Sequence, residues 1–169
     1  MNRLKEEIIS SFKGAKVSIC EDNRLAILAR KEDVFSILNF LKDKGYDHLE
    51  LISCVDWINE KEFELVYILT PYSEKEMKEH IILKTRISRE KPEFKTIIPV
   101  FENAKPYERE IHELFGINFE GHPRLTHLFL ERDYKIPPFR KDFNTREYVK
   151  EFFEKIPFVE DKNENGKRA

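Results

Sequence analysis

Two stretches of this chain alternate strictly, and that alternation limits what it can fold into. Phe63, Leu65, Tyr67 and Leu69 take every second position of the first, and Ile81, Leu83, Thr85 and Ile87 those of the second. Successive side chains of a strand point to opposite faces, so a period of two marks strands with two different faces. The residues interleaved in the second stretch are Ile82, Lys84, Arg86 and Ser88. Lys84 and Arg86 call for a solvated face, which a parallel sheet covered on both sides lacks. The expectation is an antiparallel or mixed sheet with helices packed on its other side, an α+β arrangement.

The elements around these strands follow from spacing and punctuation. Leu4, Ile8 and Phe12 share one helical face, and Gly14 closes that helix. Val17 to Cys20 and Leu25 to Ala29 are apolar runs separated by Glu21-Asp22-Asn23-Arg24, which reads as a hairpin. Val34, Ile37, Leu38 and Leu41 form the stripe of a second helix that opens near Asp33 and stops at Gly45. His48 to Val55 is a further strand. A helical region begins near Ile97. Pro106 suits the first turn of a helix running to Phe115, with Tyr107, Ile111, Leu114 and Phe115 as its apolar stripe and Gly116 as its stop.

Beyond Gly116 the pattern changes. As far as Phe143 there is no clear period, and Gly121, Pro123, Pro137 and Pro138 break the chain repeatedly. A short helix over Leu125 to Leu130 is compatible with the spacing. Yet the segment carries Ile117, Phe119, Leu125, Leu128, Phe129, Ile136, Phe139 and Phe143. It is too apolar for a solvated linker and too long for an ordinary structureless loop. Such a segment is pinned either to this domain or to a partner chain, and a partner is the expected anchor. Asn144 with Glu147 resembles a capping box that opens a last helix carrying Tyr148, Phe152 and Phe153. The chain thus divides into a domain over 1–115, an extended arm with a short helix over 116–157, and a flexible polar tail over 158–169.

Composition narrows the function. Thirty basic residues against 32 acidic ones give a net charge of -2, without the basic excess that nucleic-acid binding uses. Charged residues reach 37% and glutamine is absent, a balance similar to the surface ion pairing of thermophile proteins. Cys20 and Cys54 stand alone, and no C-x-x-C occurs to hold zinc or an iron–sulfur cluster. No phosphate-cradling glycine loop and no G-x-S-x-G is present. No apolar run resembles a signal peptide or approaches the roughly 20 residues of a membrane span, so the expectation is a soluble intracellular chain or one held at a membrane only through partners.

The densest polar constellation is Glu108-Arg109-Glu110-Ile111-His112-Glu113. Glu108, Arg109, His112 and Glu113 fall on one arc of a helix, with Arg109–Glu113 and Glu108–His112 at i,i+4. The plain reading is a solvated face with two surface pairs; the sharper one is a docking face that grips a partner by charge. His112-Glu113 does not complete H-E-x-x-H, because Gly116 stands where the second His must be. A metal set of His112, His122 and His127, with Asp133 beyond, defines the alternative: a stand-alone metal-dependent enzyme. Arg140-Lys141-Asp142, flanked by Phe139 and Phe143, reads as an interface grip.

These residues also carry a resemblance. Tyr107-Glu108-Arg109-Glu110, then Glu113-Leu114-Phe115-Gly116-Ile117, Phe119 and Gly121-His122-Pro123 closely resemble the signature of the 30 kDa subunit of respiratory complex I. Pro138, Arg140, Lys141, Asp142 and Phe143 resemble that family's second block, at similar spacing. Val55-Asp56 and Phe63 to Tyr67 resemble its first domain, so the likeness spans about Leu38 to Phe143. Tyr107 stands where the family usually has Trp, Glu113 where Asp is common, and Arg124-Leu125-Thr126-His127 where it tends to read Asp-Leu-Arg-Arg. The departures point to a divergent branch, and the His112-Glu113 version looks closer to the one found in membrane-bound [NiFe] hydrogenases and related ferredoxin-dependent complexes.

The resemblance implies an α/β domain and an arm that wraps the large catalytic subunit, on the cytoplasmic side of the membrane. It implies no catalytic residue, cofactor or metal in this chain. Iron–sulfur clusters, and nickel–iron in hydrogenases, would belong to the large subunit and the small iron–sulfur subunit beside it. The residues of the two motif blocks become the candidates for partner docking.

Overall fold

The computed structural model describes residues 1–21, 23–72, 79–132 and 134–152. Asp133, Phe153 and the tail over 158–169 lie outside them, as does the end of the arm beyond 152.

The chain opens with helix α1 (Asn2–Ser11), which buries Leu4 and Ile8. Strands β1 (Lys16–Glu21) and β2 (Arg24–Ala29) form the expected antiparallel hairpin. A 3-10 turn at Lys31–Asp33 leads into α2 (Val34–Asp43), whose stripe Val34, Ile37, Leu38 and Leu41 is wholly buried. The helix stops at Gly45, whose φ of 94° lets the Tyr46 N–H turn back onto the Leu41 carbonyl at 3.0 Å. Then come β3 (His48–Trp57), β4 (Glu62–Thr70), β5 (His80–Ser88), β6 (Glu93–Lys95), α3 (Ala104–Phe115), β7 (Asn118–Glu120) and α4 (Thr145–Phe152).

Five strands form a mixed sheet in the order β1-β2-β5-β4-β3. Only the β2–β5 pairing in it is parallel. The register places Phe63 opposite Ile87, Leu65 opposite Thr85, Tyr67 opposite Leu83 and Leu69 opposite Ile81. The two alternating sets therefore coincide on one face, and a slip of one residue would turn one of them to solvent. That face packs with the helices into a single core running from Leu4 to Phe119. The other face is held by charge. Glu64 sits between Lys84 at 3.6 Å and Arg86 at 3.4 Å, and Arg86 lies 5.0 Å over the Trp57 ring. Lys84 and Arg86 thus occupy the solvated face that their alternation predicts.

The stretch after Gly116 departs from expectation in two places. It begins as a strand, since β7 pairs in parallel with β6 through Phe94 and Phe119. Three-residue strands are too short to show a period. Their burial nevertheless extends the packed core through Ile117 and Phe119, past the 115 boundary read from the sequence. Residues Leu125 to Leu130 form no helix; the N–H groups of Leu128, Phe129 and Leu130 are directed at a side chain of α3 instead.

Pro106 lies in the first turn of α3, where the N–H it lacks would have had no helical partner. Gly116 ends that helix with φ 74°, the left-handed conformation that glycine adopts without cost. A Cβ at this position would stand 2.9 Å from Arg140 Nη2 and 2.9 Å from Pro137 Cγ. Gly116 therefore sets both the exit direction of the chain and the closeness of the returning arm. Gly116→Ala is expected to cost about 1–2 kcal/mol in backbone strain alone and to lift the arm. Urea unfolding would report the first effect, and faster proteolytic cleavage between residues 121 and 143 the second.

Candidate functional site

The second half of α3 and the arm form one polar assembly. The Glu113 carboxylate accepts the N–H groups of Leu128 (2.7 Å), Phe129 (2.9 Å) and Leu130 (3.3 Å). Successive amides aimed at one anion make a small nest. One turn earlier, Arg109 does the converse. Its Nε donates to the Thr126 carbonyl at 2.9 Å, and its Nη2 to Thr126 Oγ1 at 3.3 Å and to the His127 carbonyl. An acid on the helix thus takes the arm's donors and a base takes its acceptors. The anticipated Arg109–Glu113 and Glu108–His112 surface pairs do not form among the described residues, because each member is engaged elsewhere in the chain. The solvated-face reading is overturned for Glu108 and Glu113, both of which are buried.

Glu108 has 0% exposure. Its Oε2 accepts the Thr96 hydroxyl at 2.6 Å and its Oε1 the Ile97 N–H at 2.8 Å. Thr96 Oγ1 in turn accepts the Ile98 N–H at 3.2 Å. The carboxyl therefore ties α3 to the chain just after β6. Burial pushes its pKa up to about 7, against the opposing pull of those two donors.

A second anchor holds the far end of the arm. Asp56, at the end of β3, is buried. It accepts Arg89 Nε at 2.9 Å and Nη2 at 3.3 Å, and the Lys141 N–H at 2.9 Å. Arg89 also reaches Asp142 at 2.5 Å, and this contact holds the Asp142 carboxyl below its usual range. The Arg89 guanidinium is raised by Asp56 first of all. Arg140 Nε donates to the Phe115 carbonyl at 2.6 Å, and the Phe139 N–H to the Leu114 carbonyl at 3.0 Å. Both carbonyls belong to the last turn of α3, which has no helical donors left for them. The two guanidiniums lie 5.7 Å and 5.2 Å from the Phe63 ring centroid, within cation–π range. Burial, then the neighbouring Arg89, lowers the Arg140 pKa. Farther out, Tyr134, Phe143 and Tyr148 pack on one another at 4.9–5.9 Å, Tyr134 stacked on Tyr148, and join the arm to α4. That helix is capped by Asn144 Oδ1, which accepts the Arg146 and Glu147 N–H groups.

Two of the three candidate histidines serve backbone. His112 Nδ1 lies 2.9 Å from the Ile117 carbonyl, and His122 Nε2 lies 3.2 Å from that of Lys105. His122 Nδ1 accepts the Arg124 N–H at 3.1 Å. Among the described residues no three His, Cys, Asp or Glu side chains come together as a metal site, and nothing else supports the stand-alone enzyme.

The motif residues divide into two groups. Tyr107 (its hydroxyl on the Glu50 carbonyl at 2.8 Å), Glu108, Arg109, Glu113, Arg140 and Asp142 make contacts within the chain, and Phe119 packs in the core. Glu110, Gly121, Pro123, Pro138, Lys141 and Phe143 keep exposed surface. Arg89 and Thr96 gave no sequence signal of their own: Arg89 meets Asp56 33 residues away, a pairing that no local pattern announces. The arm also leaves Phe129 at 67%, Phe139 at 59% and Ile136 at 40% exposed.

A model of the family described as respiratory-chain NADH dehydrogenase, 30 Kd subunit, matches residues 27–149. The chain belongs to that family. Similar proteins include a subunit of the F(420)H(2) dehydrogenase of Methanosarcina mazei, 35% identical over 122 residues that cover 71% of this chain and 75% of the relative. A subunit of the NADH-quinone oxidoreductase of Trichlorobacter lovleyi is 28% identical over 146 residues, covering 84% and 88%. Among solved structures, a chain of the membrane-bound sulfane sulfur reductase, an archaeal respiratory membrane complex, superposes with a TM-score of 0.83 at 26% identity, covering 99% of this chain and 98% of that one. The trypsin-resistant fragment of Nqo5 gives 0.62 at 26% identity, covering 73% and 98%. The 30 kDa-family relatives are subunits of complex-I-like assemblies. No described helix of this chain is long and apolar enough to cross a membrane.

The two buried acids of α3 can be tested separately. Glu113→Ala leaves three amides without their acceptor. The loss should be roughly 2–3 kcal/mol, typical of hydrogen bonds to a buried charge, and hydrogen exchange should show the Leu128, Phe129 and Leu130 amides losing protection first. For Glu108, the folded pKa of about 7 lies above the ordinary 4.5. The native state then holds the proton more tightly than the unfolded chain. Stability from this group is greatest below pH 4.5 and falls as pH rises towards 7, by on the order of 3 kcal/mol. Glu108→Gln should abolish that slope, so the stabilities of the two proteins should diverge as pH rises from 4.5 to 7 and keep a constant separation above it.

Proposed function

We propose that this chain is the non-catalytic hydrophilic subunit of a complex-I-related membrane complex, docking on and stabilising its large catalytic subunit. The observation that carries this reading is the arm. Its backbone is fixed to the domain by Glu113 and Asp56, while Phe129, Phe139 and Ile136 point into solvent. Fixing a backbone while leaving large apolar side chains uncovered is unfavourable for a chain alone and suits one that meets a partner, because contiguous exposed apolar surface marks interaction sites. The docking role of the motif then has two parts. Glu108, Arg109, Glu113, Arg140 and Asp142 shape the arm, and Glu110, Pro138, Lys141 and the exposed aromatics touch the partner.

In this reading the iron–sulfur clusters, and nickel–iron where the complex is a hydrogenase, reside in the large subunit and in the small iron–sulfur subunit. The chain lies on the cytoplasmic face of the membrane and reaches it only through other subunits. The likeness to the sulfane sulfur reductase chain over nearly its full length supports a membrane-bound hydrogenase or related ferredoxin-dependent complex ahead of an NADH:quinone enzyme. Affinity purification of the tagged chain from gently solubilised native membranes tests the reading. The expected result is recovery of a large subunit, a small iron–sulfur subunit and membrane subunits together. Recovery of the chain alone, as an ordered monomer, would contradict it.

A further inference from the structure

Between β3 and α3 a cleft of about 220 Å³ opens to solvent, with Phe139 of the arm as one wall. Ile52, Cys54, Leu114 and Phe115 supply apolar surface, and Ser53 and Glu110 supply the polar groups. Glu110 stands apart from the other acids of α3. Glu108 and Glu113 each take several donors, whereas Glu110, half-buried, makes no hydrogen bond and no ion pair among the described residues. A half-buried carboxylate with no partner of its own is open to an incoming cation, and an interface that closes over such a pair strengthens it.

The walls select the kind of cation. The cleft has room for an aliphatic stem along Ile52 and Leu114, and the 59% exposed Phe139 ring offers a face for a flat charged head. A guanidinium stacks on an aromatic ring and pairs two-pronged with a carboxylate, whereas an ammonium is a compact, strongly hydrated point charge. Burial pushes the Cys54 thiol far above its ordinary value, so the cleft presents one anion and matches one cation. We infer that this cleft receives one arginine side chain of the large subunit, its guanidinium on Glu110 and against Phe139 and its stem along Ile52 and Leu114. The inference rests on the docking reading above and specifies its central contact.

The test uses the full-length tagged chain purified from native membranes as wild type, Glu110→Gln and Glu110→Lys. Glu110 holds no partner in this chain among the described residues, so both variants should melt like the wild type. Truncating one member of a desolvated charge pair at an interface weakens binding strongly. The large subunit retained through a fixed wash should fall on the order of tenfold for Glu110→Gln, and about a hundredfold for Glu110→Lys, which places two like charges together. In parallel, a benzophenone amino acid in place of Phe139, the exposed wall of the cleft, should cross-link to a large-subunit peptide that contains arginine. Undiminished retention in both variants, with the wild type still holding the large subunit, overturns the arginine cleft and leaves the docking reading intact. A cross-linked peptide without arginine overturns the cleft even if a variant fails to fold. A wild-type chain that recovers no large subunit overturns both.

Discussion

A carboxylate taken out of water must find donors, and this fold depends on where Glu113 and Asp56 find theirs. Neither is satisfied by its own element. Glu113 takes three successive amides of the arm, and Asp56 takes Arg89 together with the Lys141 amide. An unpaired buried charge costs several kcal/mol, so the arm completes the domain. The dependence runs both ways. An irregular segment with repeated Gly and Pro cannot satisfy its own amides through a helix or a ladder, and the two carboxylates stand in for that missing secondary structure.

This exchange fixes the geometry of the surface above it. Gly116 turns the chain sharply enough for Arg140 to reach the open carbonyl of Phe115, and the Arg89 and Arg140 guanidiniums then both approach the Phe63 ring. Phe115 packs edge-on against both Phe63 and Phe139, at 6.0 Å and 5.9 Å. Aromatic side chains near such fixed points present apolar area with little rotamer freedom left to lose, which lowers the entropy cost of association. A membrane complex assembled from several chains gains from a subunit whose contact surface is shaped before it meets the others.

Most of the sheet and its helices were legible in the sequence, because each rests on a period or on local punctuation. The set from Phe63 to Leu69 and the set from Ile81 to Ile87 settled two strands, Gly45 and Gly116 the ends of two helices, and Asn144 the start of the last. What stayed illegible is non-local. Strands β6 and β7 are three residues each and are defined only by each other. Glu108 and Glu113 sit on an arc that looks solvated, and their burial is decided by Thr96 and by residues 128–130, which a helical wheel does not contain. The Asp56–Arg89 pair joins positions 33 apart. The motif blocks were readable as blocks through family resemblance, but the division of their residues between shaping the arm and facing outward required the fold.

On this account the arm holds its shape in the isolated chain and covers its exposed rings only in the complex. Hydroxyl-radical footprinting of Phe129 and Phe139, read by mass spectrometry in the purified chain and in the intact membrane assembly, tests this directly. The account predicts ready oxidation of both rings in the isolated chain and strong protection of both in the assembly, with buried Phe63 protected in each. Equal oxidation of Phe129 and Phe139 in the two samples would contradict it, because the arm would then present its apolar side chains to no partner.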